Sequence, residues 1–304
     1  MWTIVTLSDH TKLVNLLISL AHKTPDLKSP LNDVGYTLDH IGLKVVFSDG
    51  KELNPDISFK SHKANRLLLS EAKSGGVDNE QAKKYKALAP DDISRRGLTT
   101  LPAVGLSVET CYFCTSANRA SVLANEAKHQ WGFPIITFDG TSLKKERTNA
   151  KFRDEALEAL FTEGITFDHE PTYAFYPFGE GDSEGWIVES VLWKLAVLAT
   201  QGKTKFTEDQ LVNECHPLIG YFGREEKKYV RRITHSALDL INKSGSQRFS
   251  IKPLKGQEWQ IVKFSLGKFT KRYITFLADS FDKKGKFEDL TKWFAEEEKK
   301  EPED

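Results

Sequence analysis

Asn54-Pro55-Asp56-Ile57-Ser58-Phe59 and, with fourteen residues between the aspartate and the next acid, Leu67-Leu68-Leu69-Ser70-Glu71-Ala72-Lys73 decide how this chain is read. The second run is an apolar strand that ends in Glu-x-Lys. Residues two apart on a strand share a face, so Glu71 and Lys73 project together, with Leu67 and Leu69 beneath them. Asp56 opens the preceding strand, and its side chain meets Glu71 where an antiparallel register places it there. Two carboxylates at one sheet edge repel. A hard divalent cation relieves this by taking carboxylates, waters and phosphate oxygens together. Such a metal acidifies a bound water and neutralises charge building on phosphorus, and Lys73 would orient that water or contact the oxyanion. Singly, each piece has a plainer explanation: Asp56 opens a strand, and Glu71 with Lys73 forms a charge pair that keeps an edge strand from aggregating. Their joint placement is what points to chemistry.

Working outward, apolar residues at helical spacing (Leu13, Leu16, Leu17, Leu20, Ala21) predict a helix over 10–21, capped by Ser8 or Asp9. Ser29-Pro30 opens a shorter helix expected to run to about Ile41, where Gly42 ends it. Strands are expected over 43–48, 56–59 and 66–73, with a turn at Asp49-Gly50. A helix over 78–88, a β-rich run over 104–114, a helix over 118–130 and a buried strand over 133–138 follow. Residues 140–149 read as a polar loop and 153–161 as a short helix. Three strands in meander followed by alternating helix and strand predict an α/β fold, a mixed sheet flanked by helices.

The 304 residues suffice for about two domains. With 39% hydrophobic and 28% charged residues, a disordered, fibrous or membrane chain is not expected. Lys+Arg and Asp+Glu both number 43, so no global basic field draws the chain to nucleic acid and any such binding rests on local patches. With three Cys no disulfide framework is expected, and a cytoplasmic location is expected. No signal peptide, membrane span or 20–50-residue repeat is read. The expected division is 1–162, a seam at 163–183, a second domain at 184–285 and an acidic tail at 286–304. In the second domain, helices over 184–200, 208–215 (capped by Thr207) and 224–241 precede a hairpin over 248–254 and 259–264. That is the element order of a winged helix. Its third helix carries Lys227, Lys228, Arg231 and Arg232 at i, i+4 spacing, and the hairpin carries Arg248 and Lys252, an expected DNA-phosphate surface.

Pro55-Asp56 with Glu71-Ala72-Lys73, inside the predicted helix, meander, helix and strand, resembles the PD-(D/E)XK (restriction-endonuclease-like) nuclease superfamily over about residues 30–138. Gln81-Ala82-Lys83-Lys84-Tyr85 on the following helix resembles the QxxxY motif of its RecB-like and phage-exonuclease branch. Gln81 and Tyr85 share a helix face. The resemblance implies Mg²⁺ or Mn²⁺ held by Asp56, Glu71 and the Ala72 carbonyl, with Asp33 as the acid that precedes the meander and Asp39 as a weaker candidate. It makes Lys73 the catalytic lysine, places Gln81 and Tyr85 in the site, and puts Lys84 and the Ser74-Gly75-Gly76 loop beside phosphate. The implied function is a metal-dependent deoxyribonuclease, an endonuclease, in restriction, mobile-element, repair or phage defence. The chain lacks GxxxxGK[ST] and GxGxxG, so an ATPase, helicase or other protein partner is an expectation by analogy. The alternative is a DNA-binding or adaptor protein whose first domain is a scaffold. Oligomeric state is left open. Cys111 and Cys114, two residues between them, face opposite sides of a strand and are expected in the core.

Overall fold

The hydrophobic runs of the first half fold into one mixed sheet with helices on both faces. The structure is a computed structural model and describes residues 8–22, 29–167, 184–244 and 249–264. The expectations for Arg248, for residues 168–183, for a helix beyond Phe269 and for the acidic end lie outside these residues. The chain divides into two compact units, with the described part of the first spanning 8–167 and 221–223 and that of the second 184–220 and 224–264.

In the first unit, α1 (Asp9–Ala21) starts where the Ser8 hydroxyl accepts the Thr11 N–H at 3.2 Å. The helix is apolar nearly all round and accordingly buried. The Ser29-Pro30 start signal governs only one turn, α2 (Pro30–Asp33). The helix expected to Ile41 is therefore corrected: Gly35, at φ +85, turns the chain, and Thr37–Ile41 becomes a strand, β1. Pairing with the sheet overrides the local helical signal here. The strand expected over 43–48 shrinks to β2 (Val45–Val46), which pairs with β3 (Glu52–Leu53) around the Asp49-Gly50 turn. There follow β4 (Ile57–Ser61), β5 (Arg66–Lys73), α3 (Asn79–Ala87), α4 (Pro90–Ser94), β6 (Ser107–Thr115), α5 (Ser116–His129), β7 (Ile135–Phe138), β8 (Ser142–Lys145), α6 (Glu155–Glu163) and β9 (Ile165–Thr166). The 140–149 segment thus contains a strand where a loop is expected. Leu143 is the residue of β8 classed as buried, too little alternation to read.

The sheet runs β1-β4-β5-β6-β7-β8-β9. Strands β5, β6 and β7 are mutually parallel, and the flanking pairs are antiparallel. On one face Leu67 and Leu69 of β5 join Tyr112, Cys114 and Ile135, covered by Ala82 and Tyr85 of α3 and Val122 of α5. Both strand Cys residues are buried and unbridged, as expected of core residues. On the other face Phe113 meets Phe161 of α6 edge-on.

In the second unit α7 (Gly185–Thr200), β10 (Lys205–Thr207), α8 (Glu208–Cys215), α9 (Arg224–Ser244), β11 (Phe249–Pro253) and β12 (Glu258–Phe264) follow in order. The strands form an antiparallel sheet β10-β12-β11. Its core includes Ile187, Val191, Leu195, Leu211, Val230, Ile233, Ile251 and Trp259. Strand β10 was not expected, since three residues with one buried phenylalanine carry no periodic signal.

Asp154 ties the first unit together at the sheet end away from Lys73. Its Oδ1 accepts the Ala156 and Leu157 N–H groups at 2.9 and 3.3 Å, and its Oδ2 accepts the Tyr36 hydroxyl at 3.0 Å. Asp154→Ala removes a helix cap and leaves a buried phenol unpaired, so it is expected to lower stability by about 2–3 kcal/mol. Asp154→Asn should lose clearly less. Urea unfolding followed by circular dichroism measures both.

Candidate active site

Register brings the two motifs together. Ile57 pairs with Ser70, so Asp56, one residue earlier, stands across from Glu71. The Asp56 N–H donates to Glu71 Oε2 at 3.3 Å, and Asp56 Oδ2 accepts the Ala72 N–H at 2.7 Å. The two strand ends are therefore cross-linked, the Glu71 carboxylate to the Asp56 backbone and the Asp56 carboxylate to the Ala72 backbone. Lys73 Nζ lies 3.1 Å from Glu71 Oε1 and donates to Gln81 Oε1 at 2.7 Å. Gln81 Nε2 in turn donates to Glu71 Oε1. The Tyr85 hydroxyl donates to Glu71 Oε2 at 2.6 Å. So Asp56, Glu71, Lys73, Gln81 and Tyr85 form one hydrogen-bonded set. Asp78 starts α3 by accepting the Glu80 N–H at 2.8 Å, and Ala82 and Tyr85 are buried on its inner face.

Asp33 is not in this set. Its helix precedes β1, whose first residue Thr37 pairs with Lys60, while Ile41 at the other end pairs with Ile57. Asp33 is exposed at the Ser61 end of β4, a strand length of roughly 13 Å from Asp56. Asp39 is also elsewhere, ion-paired with Lys60 at 2.8 Å. Beside Asp56 the structure instead places a residue the sequence reading missed. His10, in the first turn of α1, puts Nε2 3.3 Å from Asp56 Oδ1 and Nδ1 3.2 Å from the Ala72 carbonyl oxygen. Its signal was an imidazole placed three and seven residues before Leu13 and Leu17, in line with the buried stripe. Lys84 turns instead to the Glu52 carbonyl, at 3.0 Å.

Burial sets the charge states. Glu71 is 3% exposed. Desolvation, with the Asp56 carboxylate beside it, raises its pKa to about 7 against the pull of Lys73 and the Tyr85 hydroxyl. The hydrogen bond to Asp56 raises the His10 pKa above its usual value. Burial, then the neighbouring Glu71, pushes the Tyr85 phenol well up, so it remains a donor. In kind, two carboxylates, a carbonyl oxygen and an imidazole suit a divalent cation. Among the described residues, however, no three His, Cys, Asp or Glu side chains stand ready to hold an ion. Both Glu71 oxygens are engaged by protein donors.

In the second unit, Lys227, Lys228, Arg231 and Arg232 of α9 are exposed or half-exposed and each of these four has a partner. Lys228 pairs with Glu225 at 2.9 Å, Arg231 with Asp209 at 3.1 Å and Arg232 with Glu184 at 3.1 Å. Lys227 donates to the Gly220 carbonyl at 3.2 Å. Lys252 is exposed on β11. Among the described residues no helix is long and apolar enough to cross a membrane.

Fold and site together define a mixed α/β domain carrying a buried carboxylate–lysine cluster at the rim of its sheet. Residues 9–176, more than half of the chain, match the model of the MJECL32 domain, and the chain belongs to that family. No curated protein matches it. Among solved structures the chain is similar to the crystal structure of an XisH family protein from Nostoc punctiforme PCC 73102, at 10% identity over 42% of this chain and 91% of that one. The TM-score is 0.26.

A raised carboxyl pKa means that the folded state holds its proton more tightly than the unfolded chain. Glu71 therefore contributes full stability below the unfolded value of 4.5, and that contribution is lost as pH rises toward about 7. The raised His10 acts in the same direction at higher pH, above its unfolded value of 6.5. Stability without added metal is expected to fall between pH 5 and 7.5, by at most on the order of 3 kcal/mol from Glu71. Urea midpoints across that range should show a smaller fall in Glu71→Gln.

Proposed function

We propose that this chain is a metal-dependent DNA nuclease of PD-(D/E)XK type that hydrolyses phosphodiester bonds. The observation that carries this reading is the convergence of Asp56, Glu71 and Lys73 at one sheet end, gripped by Gln81 and Tyr85 of the next helix. The antiparallel β1-β4-β5 meander continued by parallel β6 and β7 also supports it. We read the second unit as a winged helix that contacts DNA, supported by its helix, strand, helix, helix, strand, strand order and its three-stranded sheet.

Asp56, Glu71 and the Ala72 carbonyl would hold Mg²⁺ or Mn²⁺, with His10 beside them between Asp56 and the Ala72 carbonyl. Bound there, the metal would supply an acidified water and neutralise charge on the phosphate. The chain's own residues do the rest. His10 fixes the orientation of Asp56, and the Ala72 N–H fixes its other oxygen. Tyr85 and Gln81 hold the Glu71 carboxylate in place, and it must release one of these donors to accept a cation. Lys73 holds its ammonium beside Glu71, and by releasing Gln81 it would donate to a phosphate oxygen and stabilise the added negative charge.

The test is cleavage of plasmid and single-stranded DNA by the purified full chain, with Mg²⁺ or Mn²⁺ against EDTA. Glu71→Ala and Lys73→Ala are expected to lower the rate at least about a hundredfold with DNA affinity kept. His10→Ala should raise the metal concentration needed for half-maximal cutting, and Asp33→Ala should leave it unchanged. An inactive parent, or active Glu71→Ala and Lys73→Ala variants, refutes the assignment.

DNA contact by α9 has its own check. Lys228→Glu with Arg232→Glu should weaken DNA binding in fluorescence anisotropy and flatten its salt dependence by about two phosphate contacts. Unchanged affinity and slope would remove α9 from the interface.

A further inference from the structure

We propose that Tyr112 is a positioning residue for Lys73 and that it acts through the face of its ring, not through its hydroxyl. An ammonium has three donors. Two of those on Lys73 are accounted for by Glu71 Oε1 at 3.1 Å and Gln81 Oε1 at 2.7 Å. Nζ also lies over the Tyr112 ring, 5.4 Å from its centroid. Parallel pairing makes this geometry a property of the sheet. Tyr112 stands beside Glu71 and Cys114 beside Lys73, so the ring rises on the face that carries both charged groups.

The ring is itself held. It meets Phe133, Trp131 and Tyr85 edge-on, with centroids 5.4, 5.8 and 6.3 Å away. Tyr85 is the residue whose hydroxyl grips Glu71, so one ring braces both the lysine and the partner of the carboxylate. The Tyr112 hydroxyl is buried and has no hydrogen-bond partner among the described residues. It therefore contributes no bond to this arrangement, and the negative face of the ring is what attracts the cation. Water does not dilute that attraction, because Lys73 is 8% exposed and Tyr112 fully buried.

The consequence for activity rests on the reading of Lys73 as the lysine that meets phosphate, whereas the placement of Lys73 can be measured without cleavage. Three proteins decide the matter: the parent, Tyr112→Phe, and a protein with pentafluorophenylalanine at position 112. The fluorinated ring keeps nearly the same shape and reverses the charge of the face, so packing is preserved while the attraction is lost. The first readout is the rate at which acetic anhydride labels Lys73, followed by mass spectrometry and normalised to exposed Lys63. We expect equal labelling in the parent and Tyr112→Phe, and labelling at least about threefold faster in the fluorinated protein. The second readout is cleavage, where kcat should fall about tenfold with KM unchanged in the fluorinated protein and be retained in Tyr112→Phe.

Equal labelling of the fluorinated and Phe proteins overturns the proposal. So does accelerated labelling in Tyr112→Phe, which would assign the role to the hydroxyl. A parent that cuts no DNA refutes the nuclease reading alone, because the labelling comparison still stands.

Discussion

A carboxylate taken out of water has to be compensated, and Glu71 is the carboxylate around which this domain is arranged. Leaving such a charge unpaired inside a protein costs several kcal/mol. The compensation here comes from several elements: the Asp56 N–H just before β4, the Lys73 ammonium on β5, and the Gln81 amide and Tyr85 hydroxyl on α3. Lys73 shares the strand of Glu71, whereas Gln81 and Tyr85 arrive only when α3 is docked, so the docking of α3 on the sheet and the charge state of Glu71 are one problem. A pKa near 7 is the remainder: the donors offset most, and not all, of the burial cost and of the repulsion from Asp56.

The second unit handles charge in the opposite way. Lys228, Arg231 and Arg232 of α9 stand in water and are neutralised by neighbours at 2.9 to 3.1 Å. Exposed pairs of this kind contribute little, typically ~0–1 kcal/mol. The proposed phosphate contact would therefore displace Glu225, Asp209 or Glu184 at small cost. A net charge of zero over the chain is thus compatible with a local cationic surface, whose strength depends on how cheaply its carboxylates are displaced.

What was legible in the sequence follows from range. Glu71 and Lys73 were readable because two residues on one strand must share a face, and Gln81 with Tyr85 because i and i+4 must share a helix face. Both relations are local. The overall class, a mixed sheet with helices, was readable for the same reason, since the long elements β5, β6, α5, α7 and α9 each carry a full period of pattern. The short elements were not: β8 and β10 hold four and three residues and exist through their neighbours. The residues Thr37–Ile41 were misread because Ser29-Pro30 announces a helix without saying how long it is, and only pairing with β4 decides. Nothing local marks Tyr112, since a cation above its ring is a fact of strand pairing.

Asp33 and His10 show the limit most clearly. Both precede the meander, and Asp33 lies closer to Asp56 in the chain, yet the antiparallel turn from β1 to β4 carries it to the far end of the strand. His10, 46 residues from Asp56, is returned to the site because α1 packs across the sheet with its first turn above Ala72. Order along the chain ranks candidate ligands by separation, whereas a sheet ranks them by which end of a strand they occupy. An acid near a motif is therefore weaker evidence than a polar residue in register with the helix that covers the motif's strand end.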